Sequence, residues 1–390
     1  MLESEERKMY KCRRKVLSIL LMGVLVITLM AGCGSNATNA DDSNAATSEN
    51  SDSESSTSSN TSAEIALITT AGSGGINDRG FFQSTYEGIQ TFCEETGHTY
   101  TYYETSDDSE DAFYEAIEMA VLNGAQVICT AGGDFIGMME TVFESYPDIT
   151  FICNELPYTE AAENAVIYIF KAQEATFLAG IAAVYEGYTD IGVICGKQIL
   201  PNMRGGYGFM QGVNYAAGEL GIEGINLKYW YSNSFETSPD IQSYAAAWYE
   251  SGTELIAAFC GGSAPSIWAA AESASGFCMG CDIDQYFESD TIITSFLKNV
   301  GSTTQDGLKA WEEGTFEGNR IVNVGIAEDG VGLAMENSRM ENFTSEIYED
   351  YYNRLLDGEF GELLTAEDAE TPNDLWDLIE TKNITFTYYE

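Results

Sequence analysis

Gly72-Ser-Gly-Gly-Ile-Asn-Asp-Arg-Gly-Phe-Phe-Gln83 follows the apolar run Ile65-Ala-Leu-Ile68 and precedes an amphipathic run, Tyr86 to Glu95. That order predicts a strand, a glycine loop and a helix. In an open α/β sheet, ligands sit in the crevice beyond the carboxyl ends of the strands. Glycines let the backbone turn tightly there, and the next helix presents unpaired N–H groups. The loop projects Asn77, Asp78, Arg79, Phe81 and Phe82 from one turn. A polar cluster beside two aromatics suits a flat, hydroxylated, uncharged small molecule better than a phosphate. A tight turn whose Phe pair packs into the core is the competing account.

Outward from this stretch the chain alternates. Candidate strands are 64–69, 99–104, 126–131, 150–153 and 165–170. Asp and Glu near its start and Gly124 after its end mark a helix over 109–123. A second half repeats the alternation, with helices over 172–186, 203–220, 238–251 and 264–275 and strands over 190–195, 225–231, 255–260 and 277–281. Such alternation implies parallel sheets with helices on both faces. At 390 residues the chain exceeds what one sheet organises, and two similar α/β lobes facing a cleft is the economical solution. A helix-like run, 343–356, and an aromatic strand, 384–389, close the chain, with no role beyond packing legible.

The N-terminus reads differently. Arg7, Lys8, Lys11, Arg13, Arg14 and Lys15 precede an apolar run, Val16 to Met30, which ends Leu29-Met-Ala-Gly-Cys33. A basic segment, a short apolar run and small residues before a cysteine predict a signal peptide over 1–33, with Cys33 lipidated. The next residues, 34–62, lack aromatics and large aliphatics and read as a disordered tether. Net charge is −45, from 62 acidic against 17 basic residues, which argues against nucleic acid. These features place the protein on the extracytoplasmic face of the cell membrane. Of nine cysteines, several lie in apolar runs, such as Val127-Ile-Cys129 and Phe151-Ile-Cys153, and read as small buried hydrophobes.

Four blocks then carry a family resemblance: Gly74-Gly-Ile-Asn-Asp-Arg-Gly-Phe-Phe-Gln83; Glu174-Ala-Thr-Phe-Leu-Ala-Gly180; Met279-Gly-Cys-Asp-Ile-Asp-Gln285 with Ile293-Thr-Ser-Phe-Leu-Lys298; and Glu328-Asp-Gly-Val-Gly-Leu-Ala334. The chain resembles the BMP family of bacterial lipoproteins, substrate-binding proteins of ABC transporters of the purine-nucleoside receptor type. The resemblance spans about Ile65 to Ala334. It implies a type I periplasmic-binding-protein fold, two Rossmann-like lobes joined by three crossovers. The expected division is 63–170 with 283–320 in lobe 1, and 171–282 with 321–390 in lobe 2. It implies permease and ATPase subunits as partners and a nucleoside or related ring-bearing molecule as ligand. A tethered sensor passing ligand state to a receptor is the alternative.

The resemblance also assigns residues. Phe81 matches the family's stacking Phe, and Phe209 is the candidate from the opposite lobe, with a core position as the competing account. Asp282 and Lys298 match the acid and the ammonium that grip ribose hydroxyls; a helix cap and a surface charge compete. Gly261 and Gly262 let ligand approach backbone. Asn77 and Asp78 complete the first loop. The base-edge readers depart from the family: its Asn after the stacking Phe is Phe82 here, and its Asp in a later loop falls at Gly137, with Asp134 nearby as a candidate contact. No enzyme is expected, and no cofactor or metal. The single histidine, His98, lies away from the cleft loops, and Cys278-x-x-Cys281 lacks a second pair at zinc spacing.

Overall fold

The computed structural model describes residues 62–70, 74–107, 109–135, 137–156, 158–365 and 381–389. All of them fall in one compact unit, Thr57–Glu390. Cys33, the signal segment and all but the last residue of the tether lie outside the described residues.

In chain order, β1 (Ile65–Thr69), α1 (Phe81–Thr96), β2 (Tyr100–Glu104), α2 (Glu110–Leu122), β3 (Val127–Ala131), α3 (Met139–Ser145), β4 (Thr150–Asn154) and β5 (Ala165–Phe170) come first. Then follow α4 (Ala172–Tyr185), β6 (Asp190–Cys195), α5 (Leu200–Leu220), β7 (Ile225–Tyr231), α6 (Pro239–Glu250), β8 (Leu255–Phe259), α7 (Ala264–Ala274), β9 (Phe277–Asp282) and β10 (Ile292–Lys298). The chain ends with α8 (Val300–Glu312), β11 (Arg320–Val324), β12 (Val331–Leu333), α9 (Ser345–Leu356) and β13 (Ile384–Tyr389).

Two sheets result, ordered β11-β5-β4-β3-β1-β2 and β12-β10-β9-β8-β6-β7-β13. The first is wholly parallel; the second is parallel except where β12 runs antiparallel to β10. Strands β1, β3 and β8 are buried along their whole length, as strands covered on both faces should be. Helix starts carry their caps: Ser109 accepts from Ala112 N–H at 3.2 Å, and Ser238 accepts from Ile241 N–H at 3.2 Å.

The chain crosses between sheets three times, after β5, after β10 and after β11. This is the type I periplasmic-binding-protein fold. The expected division differs from the sheets at two places. Residues 283–298 were expected in lobe 1, but β10 pairs with β9 in the second sheet, and β11 extends the first sheet as far as Val324. Parallel pairing to an adjacent strand outweighs proximity in sequence to α8.

Close helix approach relies on glycine. A Cβ on Gly212 of α5 would stand 2.0 Å from the Phe177 carbonyl oxygen of α4, and one on Gly88 of α1 would stand 2.5 Å from the Gly301 carbonyl oxygen of α8. Strand β13 adds to the second sheet beside β7, which gives the C-terminal segment its packing role.

Candidate ligand-binding site

The carboxyl ends of both sheets face one cavity of about 760 Å³, part of it open to solvent. The first lobe contributes Asp78, Phe81 and Phe82 from the glycine loop and α1, Gly132 and Gly133 after β3, and Glu155 after β4. The second contributes Asn202 and Gly205 of α5, Phe235 after β7, Gly261 and Gly262 after β8, then Asp282 and Lys298.

Asp78 explains why α1 begins at Phe81, five residues before the amphipathic pattern does. Its carboxylate accepts from the N–H groups of Gly80 at 2.9 Å, Phe82 at 3.0 Å and Gln83 at 2.9 Å. These donors are left over at any helix start. Phe81 and Phe82 therefore project from a fixed first turn. Burial pushes the Asp78 carboxyl up to about 6 against the pull of the three donors, and the nearby Asp282 adds to the rise. The folded state thus holds a proton that the unfolded chain has released. Stability from this group is present below the ordinary carboxylate value of 3.8 and is lost as pH rises through about 6. The difference in urea midpoint between wild type and Asp78→Asn is expected to move against wild type across that window and to be flat above it. A difference independent of pH would overturn this.

Asp282 and Lys298 end neighbouring strands. Lys298 Nζ lies 3.4 Å from Asp282 Oδ1, with the side chains 4% and 8% exposed. The ammonium also stands 4.5 Å from the centre of the Phe81 ring, within cation–π range. So one acid, one ammonium and one aromatic face converge from two lobes. Asp282 has φ 70, left-handed backbone that costs a residue with a Cβ. Such outliers concentrate where a side chain must be aimed. The Cys281 thiol donates to Asp282 Oδ2 at 3.4 Å.

Glu155 and Phe235 are among the cavity residues that have no counterpart in the sequence-based expectations. Glu155, at φ 58, is fully buried. Its Oε1 accepts from Phe170 N–H at 2.6 Å, and its Oε2 lies 3.7 Å from Arg204 Nη1. Oε2 has no hydrogen-bond partner among the described residues. Its position directly after β4 was a legible signal. Phe235 sits in an irregular loop, its ring so close to the backbone that a Cβ on Gly196 would come within 2.3 Å of it. No periodicity points to such a residue.

Other expectations land elsewhere. Phe209 is fully buried and packs edge-on against Phe259 at 5.7 Å, on the face of α5 turned to the sheet. It belongs to the core, whereas Phe235, Phe259 and Phe296 are the second-lobe aromatics that line the cavity. Asn77 is exposed, outside the cavity lining, because the one-turn helix Gly75–Asn77 turns it outward. Asp134 lies in the one-turn helix Gly133–Phe135, and its side chain is outside what the structure describes. Phe82 lines the cavity but is 5% exposed and packs on Phe135. Cys278 and Cys281 join cores on opposite faces of the second sheet, so they cannot grip one metal ion together. His98 bonds Glu64 at 3.1 Å, in the first lobe away from the cavity.

The model of the Bmp family, described as PnrA-like ABC transporter substrate-binding protein, matches residues 65–355. This chain belongs to that family. Among its relatives, basic membrane protein A2 of Borrelia garinii is 32% identical over 287 residues, covering 70% of this chain and 81% of the relative. The ABC transporter nucleoside-binding protein BmpA of Lactococcus lactis is 24% identical over 353 residues, 84% of this chain and 93% of that one. In structure the Bmp chain is similar to a solute-binding protein of an ABC transporter system from Aeropyrum pernix, with TM-score 0.64 over 81% of this chain and 89% of that one at 23% identity. A second solute-binding protein, from Conexibacter woesei, gives 0.59 over 76% of this chain and 97% of that one at 17% identity. As a Bmp protein, the chain is an ABC transporter substrate-binding protein.

Proposed function

We propose that this Bmp protein captures a nucleoside between its lobes and delivers it to ABC permease and ATPase subunits, itself held at the extracytoplasmic face by a lipid on Cys33. The work is recognition and release, without chemistry on the ligand. One observation carries the ligand class: Asp282, Lys298 and Phe81 meet in one cavity. The carboxylate can accept from the ribose hydroxyls, and the ammonium beside it can donate to a hydroxyl oxygen. The Phe81 ring beside them offers a flat face for a base, and Phe235 offers a second. Gly261 and Gly262 leave room for the sugar to reach backbone. Glu155 supplies an acceptor for a donor on the base edge, the role left empty by the departures from the family at Phe82 and Gly137. The name of the Lactococcus relative, a nucleoside-binding protein, accords with this reading.

Calorimetry of the purified protein against ribonucleosides tests it. At least one is expected to bind with a dissociation constant in the micromolar range or tighter, and heat from none would overturn the assignment. Phe235→Ala is expected to cost roughly 1–3 kcal/mol of affinity, the value of stacking one base. Unchanged affinity in that variant would remove Phe235 from the site.

A further inference from the structure

Gln285 joins the two halves of the cavity across the lobes. It is 1% exposed. Its Oε1 accepts from Cys281 N–H at 3.0 Å, and its own N–H donates to Ser295 Oγ at 3.1 Å. Its Nε2 donates to the Arg79 carbonyl oxygen at 2.8 Å. The first two bonds stay within the second lobe; the third reaches the first lobe's glycine loop. The amide orientation is fixed by chemistry, since the oxygen faces an N–H and the nitrogen faces a carbonyl. Gly280 makes the space, because a Cβ there would stand 2.4 Å from Gln285 Oε1.

What this side chain connects is specific. Cys281 directly precedes Asp282, and Arg79 directly follows Asp78. Both Asp282 and Arg79 hold left-handed backbone, at φ 70 and 56. The same two loops share an ion pair between Arg79 and Glu288, but its members are 46% and 34% exposed, where such pairs contribute little. The buried amide bond is the firmer link.

We propose that Gln285 is a positioning residue for ligand capture: its bond to Arg79 holds the lobes closed and sets the fraction of molecules ready to grip. It acts through Asp282 and the Phe81 loop without touching ligand. Binding to a protein that is only partly in its competent state weakens by that fraction, for every ligand alike. The inference rests on capture between the lobes, and its scattering test requires no nucleoside.

Gln285→Met removes all side-chain bonds at similar volume. Gln285→Glu keeps an acceptor for Cys281 but loses the donor to Arg79, and guards against a folding failure in the first variant. Small-angle X-ray scattering of the unliganded full chain is expected to give a larger radius of gyration for both variants than for wild type. Calorimetry with adenosine, guanosine, uridine and cytidine is expected to show affinity reduced about tenfold, by one factor for each nucleoside that binds. A radius equal to wild type would overturn the proposal, as would a loss that differs between nucleosides. If no nucleoside binds, the scattering comparison decides alone.

Discussion

Asp282→Asn is expected to weaken nucleoside binding at least about 100-fold while leaving the protein folded. Hydrogen bonds to a charged group are each worth about 1.5–3 kcal/mol, and one carboxylate facing two ribose hydroxyls can make two of them. Asparagine tolerates left-handed backbone better than other residues with a Cβ, so φ 70 at this position can persist. Volume is also conserved. The charge therefore changes while the shape does not. Lys298 is left beside a neutral amide, but the rings of Phe81 and Phe296, at 4.5 and 5.6 Å, still face its ammonium. Calorimetry with a ribonucleoside and its 2′-deoxy analogue measures the effect. Wild type is expected to discriminate between them, and Asp282→Asn to lose most of that discrimination. Ribonucleoside affinity within threefold of wild type would remove Asp282 from the sugar site.

Asp282 and Lys298 were legible because each ends an apolar strand inside a family block, and strand ends are where such folds place ligand contacts. The alternation of apolar runs with amphipathic ones likewise exposed most strands and helices. What stayed hidden depends on contacts distant in sequence. Helix α1 extends back to Phe81 because one carboxylate caps it, which hydrophobic periodicity cannot register. Phe209 and Phe235 illustrate the converse. Both are aromatics near the second lobe's strand ends, and only packing decides which one turns to the sheet and which to the cavity. Glu155 directly follows a strand, but beyond that place nothing local distinguishes it from other acids in so acidic a chain. What sets it apart is its burial at the cavity, and burial is a property of the assembled lobes.

The second large effect concerns the same carboxylate. Arg204→Met is expected to destabilise the protein by about 3–5 kcal/mol, the cost of removing one member of a buried ion pair. Glu155 comes from the end of β4 and Arg204 from α5, so the pair spans the two lobes, with side chains 1% and 9% exposed. At 3.7 Å the groups attract without a short hydrogen bond. The attraction offsets the cost of holding a fully buried carboxylate. Methionine keeps the length of the stem and its packing but withdraws the charge. Adding Glu155→Gln to Arg204→Met is expected to return much of the loss, because a neutral amide still accepts from Phe170 N–H and needs no counter-charge. Urea denaturation of the two single variants and the double variant measures the coupling between them. Additive losses would mean that the pair contributes nothing as a pair and that Arg204 matters through its other contacts. A loss of under about 1 kcal/mol in Arg204→Met would place it with exposed pairs, whose contribution is of that size.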